Sequence, residues 1–388
     1  MRSSIAASIF AALLMCGSAH AQDTLKIGIV LPLSGPFTST GKQILTGARL
    51  SLDQNGATFG GKKLELIVKD DGAVADQSKR IVQELITREK VGIVAGFGLT
   101  PLAFAAAPLA TQGKVPMIVM GAATSSVTER SPFIIRTSFA QAQAPVVLAD
   151  WIARNGAKKV VTMVSDFAPG HDSENAFRER FVRAGGQIVE SVRVPLQNPD
   201  FAPFLQRTRD ASPDAIFVFV PAGQSAALMK QFAERGMADA GIKLYGAGDI
   251  TDDEVLDSMG DVTLGVITAH HYSADHQSEK NKEFVAAFKK AGGMRPNFFS
   301  VGGYDGMHVI AEALKQTNGS VDAEKFVSAA RGMRWESPRG PMSIDPDTRD
   351  VIHSIYLRKV ERRDNELYNV EFETVPDVKD PVKAGKPQ

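Results

Sequence analysis

Leu25-Lys26-Ile27-Gly28-Ile29-Val30-Leu31, running straight into Pro32-Leu33-Ser34-Gly35-Pro36-Phe37-Thr38-Ser39-Thr40-Gly41, decides the fold class. The first stretch reads as a strand. The second is crowded with Pro, Gly and Ser, which favour turns, and a helical stretch follows. Upstream stands an export address. Arg2 supplies a positive start, residues 5–15 a short apolar core, and Ala19-His20-Ala21 a small-x-small cleavage site before Gln22. A leader of this pattern is removed on secretion, and its apolar core is too short to span a bilayer. The expected division is a signal peptide at 1–21, cut after Ala21, and a mature periplasmic protein. An exported chain that opens on strand, loop and helix is suited to catching a small molecule outside the cytoplasm.

Leu13-Leu14-Met15-Cys16 is a looser match to a lipoprotein signal. Met15 is larger than the small residue expected before a lipidated cysteine, so the soluble form is favoured. Cys16 is the single cysteine of the 388-residue chain. The mature protein is therefore expected to have no disulfide, thiolate nucleophile or Cys-ligated metal. Basic and acidic side chains number 44 each, and loss of Arg2 leaves a net charge of −1. That balance gives no electrostatic reason to expect nucleic acid or an anionic membrane as partner. No stretch after the leader has the long uncharged apolar run of a membrane helix, so no stable membrane insertion is expected. The length suits two domains.

Outward from the opening strand, strand-like and helix-like runs alternate. Residues 64–68 read as a strand and 76–89 as a helix with Ile81, Val82, Leu85 and Ile86 on one face. Residues 91–95 and 115–120 are short apolar runs of the kind buried in parallel sheets, with an alanine-rich helix at 100–112 between them. The rhythm changes at 133–141, and a second βα series begins. Its strands are expected at 159–164, 187–194, 215–220, 243–245 and 262–269. Helices at 279–291 and 299–316 follow, then an antiparallel hairpin at 351–360 and 366–372. Residues 376–388 hold few apolar side chains and are expected to be disordered. The βα alternation argues for parallel sheets covered by helices on both faces.

Four strings carry a family resemblance. Ile27-Gly28-Ile29-Val30-Leu31-Pro32-Leu33-Ser34-Gly35, Gly47-Ala48-Arg49-Leu50, Gly121-Ala122-Ala123-Thr124 and Tyr304-Asp305-Gly306 follow one another in order behind a signal peptide. Together they resemble the leucine/isoleucine/valine-binding-protein family, the type I periplasmic binding proteins of ABC importers, over residues 25–375. The resemblance implies an α/β fold of two doubly wound parallel-sheet lobes joined by three hinge crossovers, near Phe139, His271 and Asp345. Lobe one would combine 22–141 with 272–345, and lobe two 142–271 with 346–375. It also implies a small-molecule carboxylate in the cleft, an inner-membrane ABC permease as partner, a monomer, and no enzymatic activity.

The strongest candidate site is an anion clamp in lobe one. The strand at 91–95 ends in Gly96-Phe97-Gly98-Leu99-Thr100-Pro101, where Thr100 stands as N-cap and Pro101 as first helical residue. A helix N-terminus offers unpaired N–H groups and a positive dipole end to a carboxylate. Ala122-Ala123-Thr124 ends the neighbouring strand, with small side chains and a hydroxyl. Strand C-termini line the ligand crevice in such sheets. Thr100 as a cap alone is the plainer alternative. Across the cleft the resemblance places Phe167, in Ser165-Asp166-Phe167, where relatives often carry a tyrosine; its ring could stack on ligand or pack on its own lobe. Ala222 and Asp249 end the next two strands. Amino-acid binders of the family meet the ligand ammonium with an acid near 248, and Asp249 is displaced by one. Without a hydroxyl at Phe167 or a polar side chain at Ala222, an apolar or aromatic carboxylate fits better than an amino acid, and both stay open.

Other motifs fail. His270-His271-Tyr272 and His276 invite a metal reading, but neighbours on a strand point to opposite faces, and no H-E-x-x-H accompanies them. A crossover segment with Tyr272 at the ligand is the better reading, and neither metal nor cofactor is expected. Residues 35–42 miss the phosphate loop by one residue, with Gln43 where Ser or Thr belongs; Phe37 there is a candidate lid over the cleft. Gly223-Gln224-Ser225-Ala226-Ala227 lacks the second glycine of a nucleophile elbow. Asp70-Asp71 and Asp252-Asp253 read as surface charges or caps. An exported hydrolase and a soluble sensing partner of a receptor remain the rival functions.

Overall fold

The computed structural model describes residues 24–384, so the expected leader and its cut after Ala21 lie outside the described residues. β1 (Thr24–Leu31) sits inside a six-stranded sheet. After it come α1 (Thr38–Asn55), β2 (Thr58–Phe59), β3 (Lys62–Asp70), α2 (Ala75–Thr87) and β4 (Ile93–Gly96). α3 (Thr100–Gly113), β5 (Met117–Val119) and β6 (Ile134–Arg136) complete this part, in the sheet order β2-β3-β1-β4-β5-β6. β1 pairs in parallel with β3 and β4, Ile27 facing Leu66 and Ile93.

Alternation along these strands builds two cores. Ile27, Ile29, Ile93, Ala95 and Ile118 point to one side, and Val30, Val94, Met117 and Val119 to the other. α1 covers the first face with α9 (Glu279–Gly292), α10 (Phe298–Gln316) and α11 (Ala323–Ala330), through Ile44, Phe288, Ile310 and Phe326. α2 and α3 cover the second through Val82, Leu85 and Ala106. The α1–α10 contact is backbone on backbone, since a Cβ at Gly47 would stand 2.0 Å from the Ser300 carbonyl oxygen.

The second sheet has nine strands. α4 (Gln143–Arg154), β7 (Lys159–Ser165), α5 (Ala168–Arg183), β8 (Gln187–Val194), α6 (Ala202–Asp210) and β9 (Ala215–Phe219) begin it. α7 (Ser225–Glu234), β10 (Lys243–Ala247), α8 (Leu256–Met259) and β11 (Ile267–His270) follow. β12 (Arg334–Ser337), β13 (Gly340–Ile344), β14 (Val351–Arg363) and β15 (Glu366–Val378) join it antiparallel, β14 against β11. Val161, Met163 and Val218 face α6 and α7, while Val160, Val164 and Phe217 face α4 and α5. Each sheet is thus wound on both sides, and the chain leaves the first sheet after β6 and joins the second at β7.

Three expectations are corrected. The strand expected at 262–269 starts only at Ile267, because residues 260–263 take a 3-10 turn. Residues 334–344, grouped with lobe one by the resemblance and given no strand of their own, form the β12–β13 hairpin. It hydrogen-bonds to the second sheet while Met342 and Ile344 pack in the first lobe's core. Residues 376–384, expected to be disordered, finish β15 and then tie back to lobe one. Asp380 accepts from the Ser125 hydroxyl at 2.9 Å, and Lys383 meets Asp350 at 2.5 Å and the Thr128 hydroxyl at 2.6 Å. Strand pairing at Val378 and the polar partners of Asp380 and Lys383 order this segment, which is why composition misjudged it.

Candidate ligand site between the lobes

The loops after β4 and β5 lie against each other. Gly96 and Phe97 both take positive φ, 109° and 62°, and Phe97 is fully buried. A left-handed phenylalanine is strained, and the turn is held by Phe97 N–H donating to Val30 O at 2.8 Å and Phe97 O accepting from Ala122 N–H at 2.8 Å. Gly98 then passes so close to Gly121 that a Cβ on Gly121 would stand 2.7 Å from Gly98 Cα. Thr100 and Thr124 are brought together, with the Thr124 N–H donating to the Thr100 hydroxyl at 3.4 Å.

Thr100 is not the N-cap. Leu99 holds that position, and Thr100 is the first helical residue with Pro101 behind it. The helix is set one residue earlier than the Thr-Pro pair suggests. Its hydroxyl is thereby turned to the 124 loop instead of back onto its own helix.

Phe139 stands next to this loop. Its neighbours fix it there, the Ser138 hydroxyl donating to Ala122 O at 3.2 Å and the Gln141 N–H to Ala123 O at 2.8 Å. Its ring lies 5.1 Å from His270, 4.8 Å from His271 and 5.6 Å from Phe298, centroid to centroid. These rings form one buried aromatic cluster where the lobes meet, the floor of the candidate site.

From lobe two, Asp172 on α5 reaches across. The Thr124 hydroxyl donates to its carboxylate at 2.5 Å and the Ser125 N–H at 2.8 Å. Glu254 likewise accepts from the Ser39 hydroxyl and from Gln43 Nε2, the latter at 2.9 Å. Phe37 is buried beside Gly223. With Pro36, Asn198, Pro199 and Gln224 it lines an interlobe cavity of about 150 Å³. Ala222 packs against the lobe-one core. The lobes are thus in contact along the cleft.

The remaining expected residues divide. Phe167 stacks on Phe219 of its own lobe, 6.0 Å between centroids and 17° apart in plane. Tyr272 is fully buried in the lobe-one core, edge-on to Phe284 at 6.5 Å. Asp249 is buried at the end of β10, its Oδ2 3.5 Å from His270 Nε2. Burial pushes the Asp249 carboxyl up from 3.8 to about 7, with Arg358 pulling the other way. Asp252 and Asp253, expected as surface charges or caps, are both buried, and Asp252 accepts from the Glu254 N–H at 2.9 Å as a turn cap does. Asn297 donates to Asp252 at 2.8 Å and Asn369 to Asp253 at 3.0 Å. His270 and His271 do converge, 4.4 Å apart, because β11 stops at His270 and strand alternation no longer applies. Among the described residues no three His, Cys, Asp or Glu side chains are arranged to hold a metal ion.

Sequence reasoning missed Asp172 and the ring-lined floor. Phe139 was legible only as a crossover position, and Asp172 lies in no motif; both gain meaning from partners far away in sequence.

A family model described as periplasmic binding protein matches residues 24–365. The Leu/Ile/Val-binding protein homolog 6 of Brucella abortus (strain 2308) is 41% identical over 382 residues, 97% of this chain and 98% of that one. A solute binding protein of an ABC transporter from Rhodopseudomonas palustris BisB5, solved in complex with 3,4-dihydroxybenzoic acid, is 59% identical. The likeness covers 93% of this chain and 100% of that one, with a TM-score of 0.91. A second, from Rhodopseudomonas palustris HaA2 in complex with p-hydroxybenzoic acid, is 40% identical over 94% of this chain and 100% of that one, TM-score 0.91.

Proposed function

The chain belongs to the periplasmic binding protein family, and on that premise we propose that it is the receptor of an ABC importer for a small aromatic carboxylate. The ligand carboxylate is received where the loops after β4 and β5 meet. The amides of Gly98 and Ala123 and the Thr100 O–H are the donors there, Ala122 leaves room for close approach, Thr124 borders the site with its hydroxyl given to Asp172, and the positive end of α3 lies behind them. The ring lies along Phe139 and Phe298, and Phe37 covers the mouth. The leader exports the protein, and the closed form delivers its ligand to an inner-membrane permease, with ATP hydrolysed by a separate subunit. The protein holds and releases its ligand without altering it.

The observation that carries this reading is the placement of Phe139, fastened by its neighbours to the 122–124 loop and in ring contact with lobe two. A carboxylate-accepting loop that continues into an aromatic floor suits a benzoate better than an aliphatic amino acid. The ligands held by the two Rhodopseudomonas relatives support the same choice.

A thermal-shift screen of amino acids and aromatic acids tests it. A ligand at a hundred times its Kd stabilises by about 2.7 kcal/mol, a shift of several degrees. Benzoate-type acids are expected to give it; stabilisation by leucine-type ligands alone overturns the reading.

A further inference from the structure

Buried polar atoms are almost always hydrogen-bonded, and an orphan marks a place where something else supplies the bond. Asp249 Oδ2 and both ring nitrogens of His270 are buried without a partner. Oδ2 and Nε2 face each other at 3.5 Å, beyond a good hydrogen bond. The two residues end adjacent parallel strands, β10 and β11, where Ala247 pairs with Ala269. The His270 ring is packed 5.1 Å from Phe139 and 4.3 Å from Phe298. The pair therefore stands at the far side of the aromatic floor from the 122–124 loop, on the other lobe.

Resting on the aromatic-carboxylate reading above, we propose that Asp249 and His270 together recognise a hydroxyl on the ligand ring, which makes the preferred ligand a phenolic acid and not benzoate itself. A phenol both donates and accepts. Its O–H donates to Asp249 Oδ2, and its oxygen accepts the N–H of His270. Burial, reinforced by Arg358 and Arg339, pushes the His270 pKa well below 6.5, so the ring is neutral and offers one N–H. Two bonds of about 2.8 Å at a tetrahedral oxygen span roughly 4.5 Å, so the ligand parts the present pair by about 1 Å. Neighbouring Arg358 already spends its guanidinium on Tyr272 O, Gly248 O and the Thr268 hydroxyl.

Calorimetric titration of the full mature protein with benzoate, 3- and 4-hydroxybenzoate and 4-methylbenzoate tests this. The better hydroxybenzoate is expected to bind at least about tenfold more tightly than benzoate, and 4-methylbenzoate, similar in size but without the O–H, no better than benzoate. In Asp249→Ala and His270→Phe the ratio of hydroxybenzoate to benzoate affinity is expected to fall to about twofold. Equal binding of benzoate and the hydroxybenzoates by the wild type overturns the proposal, as does a preference surviving in both variants. Failure of every aromatic acid to bind the wild type instead removes the reading on which it rests.

Discussion

Thr124 spends its hydroxyl on Asp172, a side chain 48 positions away on the other lobe. A charge-assisted hydrogen bond contributes about 1.5–3 kcal/mol, and the partial exposure of Asp172 places this one near the lower end. Because the bond exists only when the lobes are in contact, it favours the closed form, and ligand binding draws on that preference. Thr124→Ala and Asp172→Ala are each expected to weaken ligand binding about tenfold, and the double variant by little more than either alone. Isothermal titration of the four proteins measures the coupling; additive losses would show that the two side chains act separately. The meeting of the 98–100 and 122–124 segments was legible in sequence, because both end predicted neighbouring strands. The role of Thr100 was not. Thr-Pro suggests a cap, yet the helix begins at the threonine itself. Asp252 and Asp253 show the same limit: adjacent acids read as solvated until Asn297 and Asn369 supply buried partners.

At the level of elements, one buried arginine fastens β13, α10 and the first crossing together. Arg339 pairs with Asp305 at 2.8 Å, both side chains fully buried, and donates to Thr137 O at 2.5 Å and Ser138 O at 2.8 Å. Removing one member of a buried pair leaves the other charge uncompensated, at a cost of about 3–5 kcal/mol. Arg339→Ala is expected to lower the unfolding free energy measured in urea by that amount, as a lower midpoint with an unchanged slope; a loss below about 1 kcal/mol would show the network to be dispensable. The strands and helices of both βα series were legible because burial on two faces leaves continuous apolar runs and amphipathic helices a 3.6-residue period. The β12–β13 hairpin was not, since its strands are only four and five residues long and Pro341 interrupts the second. The C-terminal tie escaped for a different reason: Asp380 and Lys383 are ordered by Ser125, Thr128 and Asp350, partners invisible to a local reading.

For the whole molecule, two sheets wound on both faces place four loop ends opposite one another. The loops after β4 and β5 meet at Thr100 and Thr124, and Asp249 and His270 stand together at the ends of β10 and β11, with His270 in ring contact with Phe139. The two-lobe plan was legible because the βα rhythm restarts after 133–141. What sits opposite what across the cleft was not, since that depends on how the crossings orient one lobe on the other. On the proposed reading, a benzoate held between them would touch both lobes at once, and its differential affinity for the closed form would drive closure. A crystal structure of the mature protein grown with 4-hydroxybenzoate tests this most directly. The account predicts the acid between the lobes, its carboxylate within hydrogen-bond distance of the 98–100 and 122–124 segments. A ligand bound elsewhere, or turned so that its carboxylate meets lobe two instead, would contradict it.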